Sequence, residues 1–181
     1  MKKVEHGTNK DVRFRERYAY QVLQYMDRNR YHSLEKNERP DYITPDHTIG
    51  LEVVSAVPSN LQEAESLFSR ISSGQSKSPK DDIERLNRTD SRLICDDSEA
   101  PIGIIEPAYW VSFELIESTV SNKLKLLNSG YTECLENELF IYTEIGPGLE
   151  TSENCLLRLR ELSKPFPRRF DKIILNEPYL L

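Results

Sequence analysis

The stretch ERPDYITPDHTIGLEVV, residues 38–54, predicts a β-hairpin. A short first strand over residues 41–44 leads into a turn at residues 45–48 that begins with Pro-Asp, a typical turn pair. A second strand over residues 49–54 is rich in β-branched side chains, which favour extended backbone. The hairpin then fixes which residues of the two strands face each other.

The register of this hairpin brings two acidic residues together. If the turn is centred between Asp46 and His47, Asp41 pairs with Glu52, and directly opposed residues have Cα atoms roughly 4.5–5.5 Å apart and share a face. Like charges at that separation destabilise a sheet unless a cation lies between them, and Mg²⁺ prefers carboxylate oxygens. The register therefore predicts a divalent-metal site. The alternative is a pair of solvated carboxylates, because a slip of one residue would turn Glu52 to the other face.

The acidic pair and its setting resemble the core of the PD-(D/E)XK nuclease superfamily, which has the restriction-endonuclease-like fold. Pro40 and Asp41 precede Glu52, which lies inside the strand IGLEVV. The superfamily core is a helix, a β-hairpin that carries the acidic residues, and then a helix and further strands. The resemblance implies a nuclease that cleaves DNA phosphodiester bonds, with Mg²⁺ or Mn²⁺ as its cofactor.

The resemblance also implies roles for individual residues. Asp41 and Glu52 would be catalytic and would hold the metal ion, with the carbonyl of Val53 as a third ligand. A glutamate from the first helix often completes the metal environment in the superfamily, and Glu16 is the best-placed candidate here. On the residues alone, the alternative is that Glu16 is an intrahelical partner of Arg13 or Tyr20.

One position departs from the superfamily pattern. The motif lysine belongs two residues after Glu52, where this chain has Val54. Some members supply the lysine from the helix after the hairpin, and Lys123 is the catalytic candidate because it flanks the apolar stripe of that helix. If Lys123 is only a solvated surface lysine, the alternative is a catalytically inactive nuclease-like scaffold that acts as a protein-binding or regulatory module. A small-molecule-binding or nucleotide-binding domain is a third hypothesis, favoured if Asp41 and Glu52 do not face each other.

Hydrophobic periodicity along the rest of the chain predicts an α/β fold. The sheet is expected to be a mixed central sheet in which the β-hairpin carries the acidic pair and helices flank the strands, as in restriction-endonuclease-like proteins. We expect one nuclease-like domain over residues 1–181, with irregular polar residues at 28–39 and an irregular acidic insertion around 87–107. The remaining predicted elements are helices over 11–27, 61–72, 78–87, 109–129 and 151–163, and strands over 138–145 and 170–175.

The composition limits the class of protein. A chain of 181 residues with 38% hydrophobic residues is long enough to bury the core of one domain. Its three cysteines are widely separated, which favours reduced thiols over a zinc site or a disulfide framework. Because we find no apolar run of membrane length and no signal-peptide pattern, we expect a cytoplasmic protein.

The net charge of −6 does not favour nonspecific coating of nucleic acid, although basic contacts can be local. Arg168 and Arg169, in a late loop, are the candidate nucleic-acid-binding residues, and solvated surface charge is the alternative. The expected partners are DNA and a second copy of the chain in a homodimer, with no membrane partner.

Overall fold

The computed structural model describes residues 9–106, 113–143 and 149–176. Its helices are α1 (Asn9–Met26), α2 (Arg28–Tyr31), α3 (Ser59–Ser72), α4 (Pro79–Asn87), α5 (Phe113–Leu127) and α6 (Leu149–Ser163). Its strands are β1 (Glu35–Lys36), β2 (Tyr42–Ile43), β3 (Ile49–Ser55), β4 (Arg92–Cys95), β5 (Pro101–Ile105), β6 (Glu136–Tyr142) and β7 (Lys172–Asn176).

Five of the strands form a mixed sheet in the order β1-β2-β3-β6-β7. The β1–β2 and β2–β3 pairs are antiparallel, and the β3–β6 and β6–β7 pairs are parallel. Parallel neighbours need a crossover connection, and α6 supplies it between β6 and β7. The predicted fold class, an α/β protein whose mixed sheet is flanked by helices, is confirmed.

The hairpin of β2 and β3 has the predicted register. Tyr42 pairs with Leu51 and Ile43 with Gly50, and the Thr44 amide donates to the Ile49 carbonyl at 2.9 Å. The hydrogen-bonded ladder begins at Tyr42, so that Asp41 lies one residue outside it. Since the side-chain period of a strand is two, this register keeps Asp41 and Glu52 on the same side.

The central strands are buried by helix α5 on one side of the sheet. Along α5 the residues Ile116, Val120, Leu124 and Leu127 recur at helical spacing and are fully buried. They belong to one cluster with Leu139 and Ile141 of β6, and with Cys155, Leu159 and Phe170. Strand β6 is buried on both faces, as its predicted internal position requires.

The chain divides into two compact units, and each has its own packing. The first contains residues 57–106 and Asn9, and the second contains residues 10–56, 113–143 and 149–176. In the first unit, α3 packs on α4 and on β5, and Arg70 of α3 forms an ion pair with Asp82 of α4 at 3.0 Å. The second unit contains the five-stranded sheet. The expectation of one domain over the whole chain stays a prediction.

The segment around 87–107 is not irregular, contrary to our expectation. It contains β4 and β5, which pair antiparallel, with Leu93 opposite Ile104. The turn between them is held by Asp96, whose Oδ1 accepts hydrogen bonds from the amides of Ser98 and Ala100. Each strand is too short to show a clear alternation of apolar and polar residues, so that the turn chemistry at Asp96 was the only local signal.

The segment 28–39 was also wrongly predicted to be irregular. Asp27 caps α2 by accepting the Arg30 amide at 3.1 Å, and β1 pairs with β2 through Lys36 opposite Tyr42. Helix α2 has four residues and strand β1 has two, so that each covers about one period of its own pattern and the sequence carries no repeat that marks them.

Several predicted boundaries shift, and some lie outside the described residues. Helix α5 begins at Phe113, and the predicted start at residue 109 lies outside the described part of the chain. The predicted strand over 138–145 is β6, which ends at Tyr142, and residues 144 and 145 are not described either. None of the helices described here combines the length and apolar character needed to cross a bilayer.

Candidate metal centre

Asp41 lies where β2 begins, and its side chain turns back onto β3. Its Oδ2 accepts a hydrogen bond from the Val53 amide at 2.8 Å. In an extended strand the N–H and C=O of one residue point to the same side, so that the Val53 carbonyl also faces the side of Asp41. The strand pairing that ends at Tyr42 therefore leaves one amide and one carbonyl of β3 beside a carboxylate.

Glu52 stands in the middle of β3 and is 3% exposed. It pairs with Leu139 of the parallel neighbour β6, and Leu139 belongs to the core that packs against α5. Glu52 consequently points towards α5, where Lys123 Nζ donates to Glu52 Oε1 at 2.5 Å. The second oxygen, Oε2, is buried and has no hydrogen-bond partner among the residues that the structure describes. A buried, unbonded carboxylate oxygen is costly, which makes it an exception that calls for an explanation.

The negative charge of Glu52 affects the pKa of Asp41. Burial and the negative charge of Glu52 raise the pKa of Asp41 to about 7, against the opposing effects of the Val53 amide and Lys36. Burial also raises the pKa of Tyr131, and the charges of Glu52 and Asp41 add to that rise. The pair thus places two carboxylates in a poorly hydrated region, where Lys123 and Lys36 offset part of the negative charge and a divalent cation would offset more of it.

Lys36 is the residue of this site that the sequence did not reveal. Its Nζ lies 2.6 Å from Glu16 Oε2 and 3.8 Å from Asp41 Oδ1, and 4.8 Å from the centroid of the Tyr42 ring. The available signal was a lysine shortly before Asp41, on a segment able to pair with β2. Because β1 is two residues long, nothing in the periodicity pointed to that pairing.

The predicted site residues are brought together in part. Asp41, Glu52, Val53 and Lys123 form a connected set of contacts. Glu16 is joined to this set through Lys36, whose ammonium group lies 2.6 Å from Glu16 Oε2. The catalytic and metal-binding roles of these residues stay predictions.

The donor atoms of this site suit a hard divalent cation. Glu52 Oε2 is unbonded, and Asp41 Oδ1 has its Lys36 neighbour at 3.8 Å, which is longer than a hydrogen bond. With the Val53 carbonyl, these would be oxygen ligands of the kind that Mg²⁺ takes alongside water. Within the described residues, no three His, Cys, Asp or Glu side chains are grouped so that they could hold a metal ion. A metal ion here would therefore depend on two carboxylates, a backbone carbonyl and water.

Arg168 and Arg169, the predicted nucleic-acid contacts, are engaged with the protein backbone. Arg168 Nη1 donates to the Leu127 carbonyl at 3.0 Å, at the end of α5. Arg169 donates to the carbonyls of Phe166 and Lys164 at 3.1 and 2.8 Å. These bonds give both residues a structural role, and contact with nucleic acid stays a prediction.

In comparisons with known proteins, no family model, no curated protein and no solved structure matches this chain. The resemblance to the PD-(D/E)XK superfamily therefore stays a prediction from the hairpin residues and the order of the elements.

Proposed function

We propose that this protein is a metal-dependent nuclease that cleaves DNA phosphodiester bonds with Mg²⁺ or Mn²⁺. The observation that carries the proposal is the buried Oε2 of Glu52, which makes no hydrogen bond of ordinary geometry within the described residues although Tyr131 interacts with the same carboxylate. It lies next to Asp41, whose pKa is raised by burial and by the charge of Glu52. Two carboxylates in that condition are stabilised by a divalent cation, and pairs of this kind serve phosphoryl chemistry in many enzymes.

In this proposal the contacts of each residue indicate its role. Asp41 and Glu52 hold the metal ion, with the Val53 carbonyl on the same side. Lys123 fixes the orientation of Glu52 through its ion pair at 2.5 Å. The Val53 amide fixes Asp41 through the bond to Oδ2 at 2.8 Å, which leaves Oδ1 for the metal. When bound, the ion lowers the pKa of a coordinated water and stabilises charge on the phosphate.

A second candidate function is a nuclease-like scaffold that binds a partner and cleaves nothing. Lys123 already neutralises Glu52, and the described residues contain no group of three metal-ligating side chains. Val54 stands where the superfamily has its motif lysine. In this alternative the ion pair between Lys123 and Glu52 replaces the metal as the stabilising charge.

Calorimetric titration with Mn²⁺ tests the proposal. Wild type should show one saturable site, and Asp41→Asn and Glu52→Gln should each weaken it at least about tenfold, because each removes a charged ligand. Asp46→Asn is the matched control: it makes the same change in the same hairpin, at a fully exposed turn residue. Thermal unfolding of each variant separates loss of a ligand from loss of the fold.

Cleavage is then measured with supercoiled plasmid and Mn²⁺ or Mg²⁺. Nicking by wild type that disappears in Asp41→Asn and persists in Asp46→Asn supports the nuclease. A wild type that binds no Mn²⁺, with or without added duplex DNA, contradicts it. That outcome favours the scaffold, in which the ion pair between Lys123 and Glu52 takes the place of the metal. Binding of Mn²⁺ without cleavage of duplex or single-stranded DNA contradicts the nuclease activity alone.

A further inference from the structure

We propose that Lys36 is the cation of this site that contacts the phosphate of a nucleic-acid substrate, while Lys123 serves Glu52 from inside the fold. The inference rests on the proposed nuclease function and assigns a role to a residue that the hairpin motif does not contain.

The side chain of Lys36 is more exposed to solvent than that of Lys123. The Lys36 side chain is 50% exposed, on the outer strand of the sheet, whereas that of Lys123 is 25% exposed. Lys123 is paired at 2.5 Å with Glu52, whose side chain is 5% exposed. A phosphodiester arriving from solvent can therefore meet the Lys36 ammonium, while the Lys123 ammonium is committed to a buried partner.

Lys36 is also held in place before any substrate arrives. Glu16 Oε2 binds its ammonium at 2.6 Å, and the Tyr42 ring lies 4.8 Å away in a cation–π contact. An ammonium group has three N–H donors, so that these contacts leave donor capacity for a phosphate oxygen. Glu16 is then a positioning residue, which acts on the substrate through Lys36.

Lys36 offsets part of the negative charge that would repel a nucleic acid from this site. Three carboxylates, those of Glu16, Asp41 and Glu52, share this region with the ammonium groups of Lys36 and Lys123. A polyanion is repelled by such a site unless positive charge lies on its approach side. Lys36 lies 3.8 Å from Asp41 Oδ1 and so offsets the repulsion beside the atom that would bind the metal.

The test is the fluorescence anisotropy of a fluorescein-labelled 20-base-pair duplex in Ca²⁺, across a series of salt concentrations. Lys36→Met should weaken binding about tenfold at low salt and reduce the salt slope of log K by about 1, as expected for one lost phosphate contact. Lys36→Arg should stay within about threefold of wild type, and Glu16→Gln should keep the wild-type salt slope, because both variants retain the positive charge at position 36.

Lys125→Met is the matched control, because Lys125 is an exposed lysine on α5 outside the site contacts. It should bind the duplex as wild type does. Titration with Mn²⁺ is the second readout: Lys36→Met should retain its Mn²⁺ site, because it removes no ligand.

The outcomes separate this inference from the proposed function. If wild type binds Mn²⁺ and duplex, but Lys36→Met binds duplex as tightly as Lys125→Met, the role of Lys36 is wrong and the nuclease proposal stands. If Lys36→Met loses the Mn²⁺ site together with the duplex, Lys36 is structural and the inference is overturned. If wild type binds neither Mn²⁺ nor duplex, both proposals fall.

Discussion

At the scale of single residues, Asp41 combines a cost to stability with the metal-ligand role proposed for it. Its pKa rises from 3.8 to about 7 because of burial and the charge of Glu52. Between these pH values the folded protein holds a proton that the unfolded chain has released. Stability of the metal-free protein therefore falls as the pH rises through this window, and below about pH 4 the effect disappears.

We expect the Mn²⁺ affinity to rise with pH up to about 7 and to level off above it. The metal needs ionised Asp41, so that below the raised pKa each pH unit should cost up to about tenfold in affinity. Calorimetric titrations between pH 5.5 and 8, in buffers of different ionisation enthalpy, would also detect the released proton.

Urea unfolding in EDTA supplies the control for this prediction. Wild type should lose stability from pH 5 to pH 8 more steeply than Asp41→Asn, which cannot ionise. Equal slopes in the two proteins would mean that Asp41 has an ordinary pKa, contrary to the burial described here.

Gly50 is a residue at which the neighbouring side chains leave no space for a Cβ atom. A Cβ atom at this position would lie 2.7 Å from Cys134 Sγ and 3.0 Å from Pro40 Cγ. We expect Gly50→Ala to lower the free energy of unfolding by about 1–3 kcal/mol, because the hairpin or the Cys134 segment must move. Urea denaturation measures the loss.

Gly130→Ala is the comparison for Gly50→Ala, since no heavy atom lies within 4 Å of a Cβ built there. It should be close to neutral. Adding Cys134→Ala to Gly50→Ala should recover part of the stability, because it removes the nearest atom. If Gly50→Ala and Gly130→Ala cost the same, the close contact is not what requires glycine.

At the scale of elements, the short helix α2 is fixed to the sheet by a buried carboxylate. Glu138 of β6 is fully buried, and it accepts hydrogen bonds from Arg30 Nε at 3.0 Å and from the Tyr31 hydroxyl at 2.8 Å. Lys172 of β7 donates to the same hydroxyl at 2.8 Å. The acidic neighbours Glu138 and Glu136 raise the pKa of Arg30, which keeps it charged.

We expect Arg30→Met to destabilise the protein by about 3 kcal/mol, because a buried carboxylate loses its counter-charge. Urea denaturation at pH 7 measures this loss. The double variant Arg30→Met with Glu138→Leu should be more stable than Arg30→Met alone. A single variant as stable as wild type would mean that Tyr31 satisfies Glu138 without help.

The sequence predicted those elements whose hydrophobic pattern repeats over several periods. Helix α5 and strand β6 follow from their apolar spacing, and the β2–β3 register follows from the turn residues. Strand β1 and helix α2 have two and four residues, so that pairing and capping decide them rather than a repeat. Lys36 was missed for that reason.

At the scale of the whole molecule, the site joins segments that are far apart in the chain. Glu52 and Lys123 are separated by 71 positions, and the stripe of α5 was enough to indicate which lysine faces the sheet. The partner of Glu16 was not predictable in the same way. Its ion pair with Lys36 depends on how α1 packs against β1, and no local sequence pattern encodes that packing.

The parallel pairing of β3 with β6 also bears on the order in which a ribosome releases the chain. Residues 49–55 leave the ribosome long before their partners at 136–142 and before Lys123. A nascent chain therefore carries both acidic residues before it contains the strand and the helix that bury Glu52. The complete site cannot assemble until residues 123 and 136–142 have emerged, so that any activity it has is withheld from shorter products of synthesis.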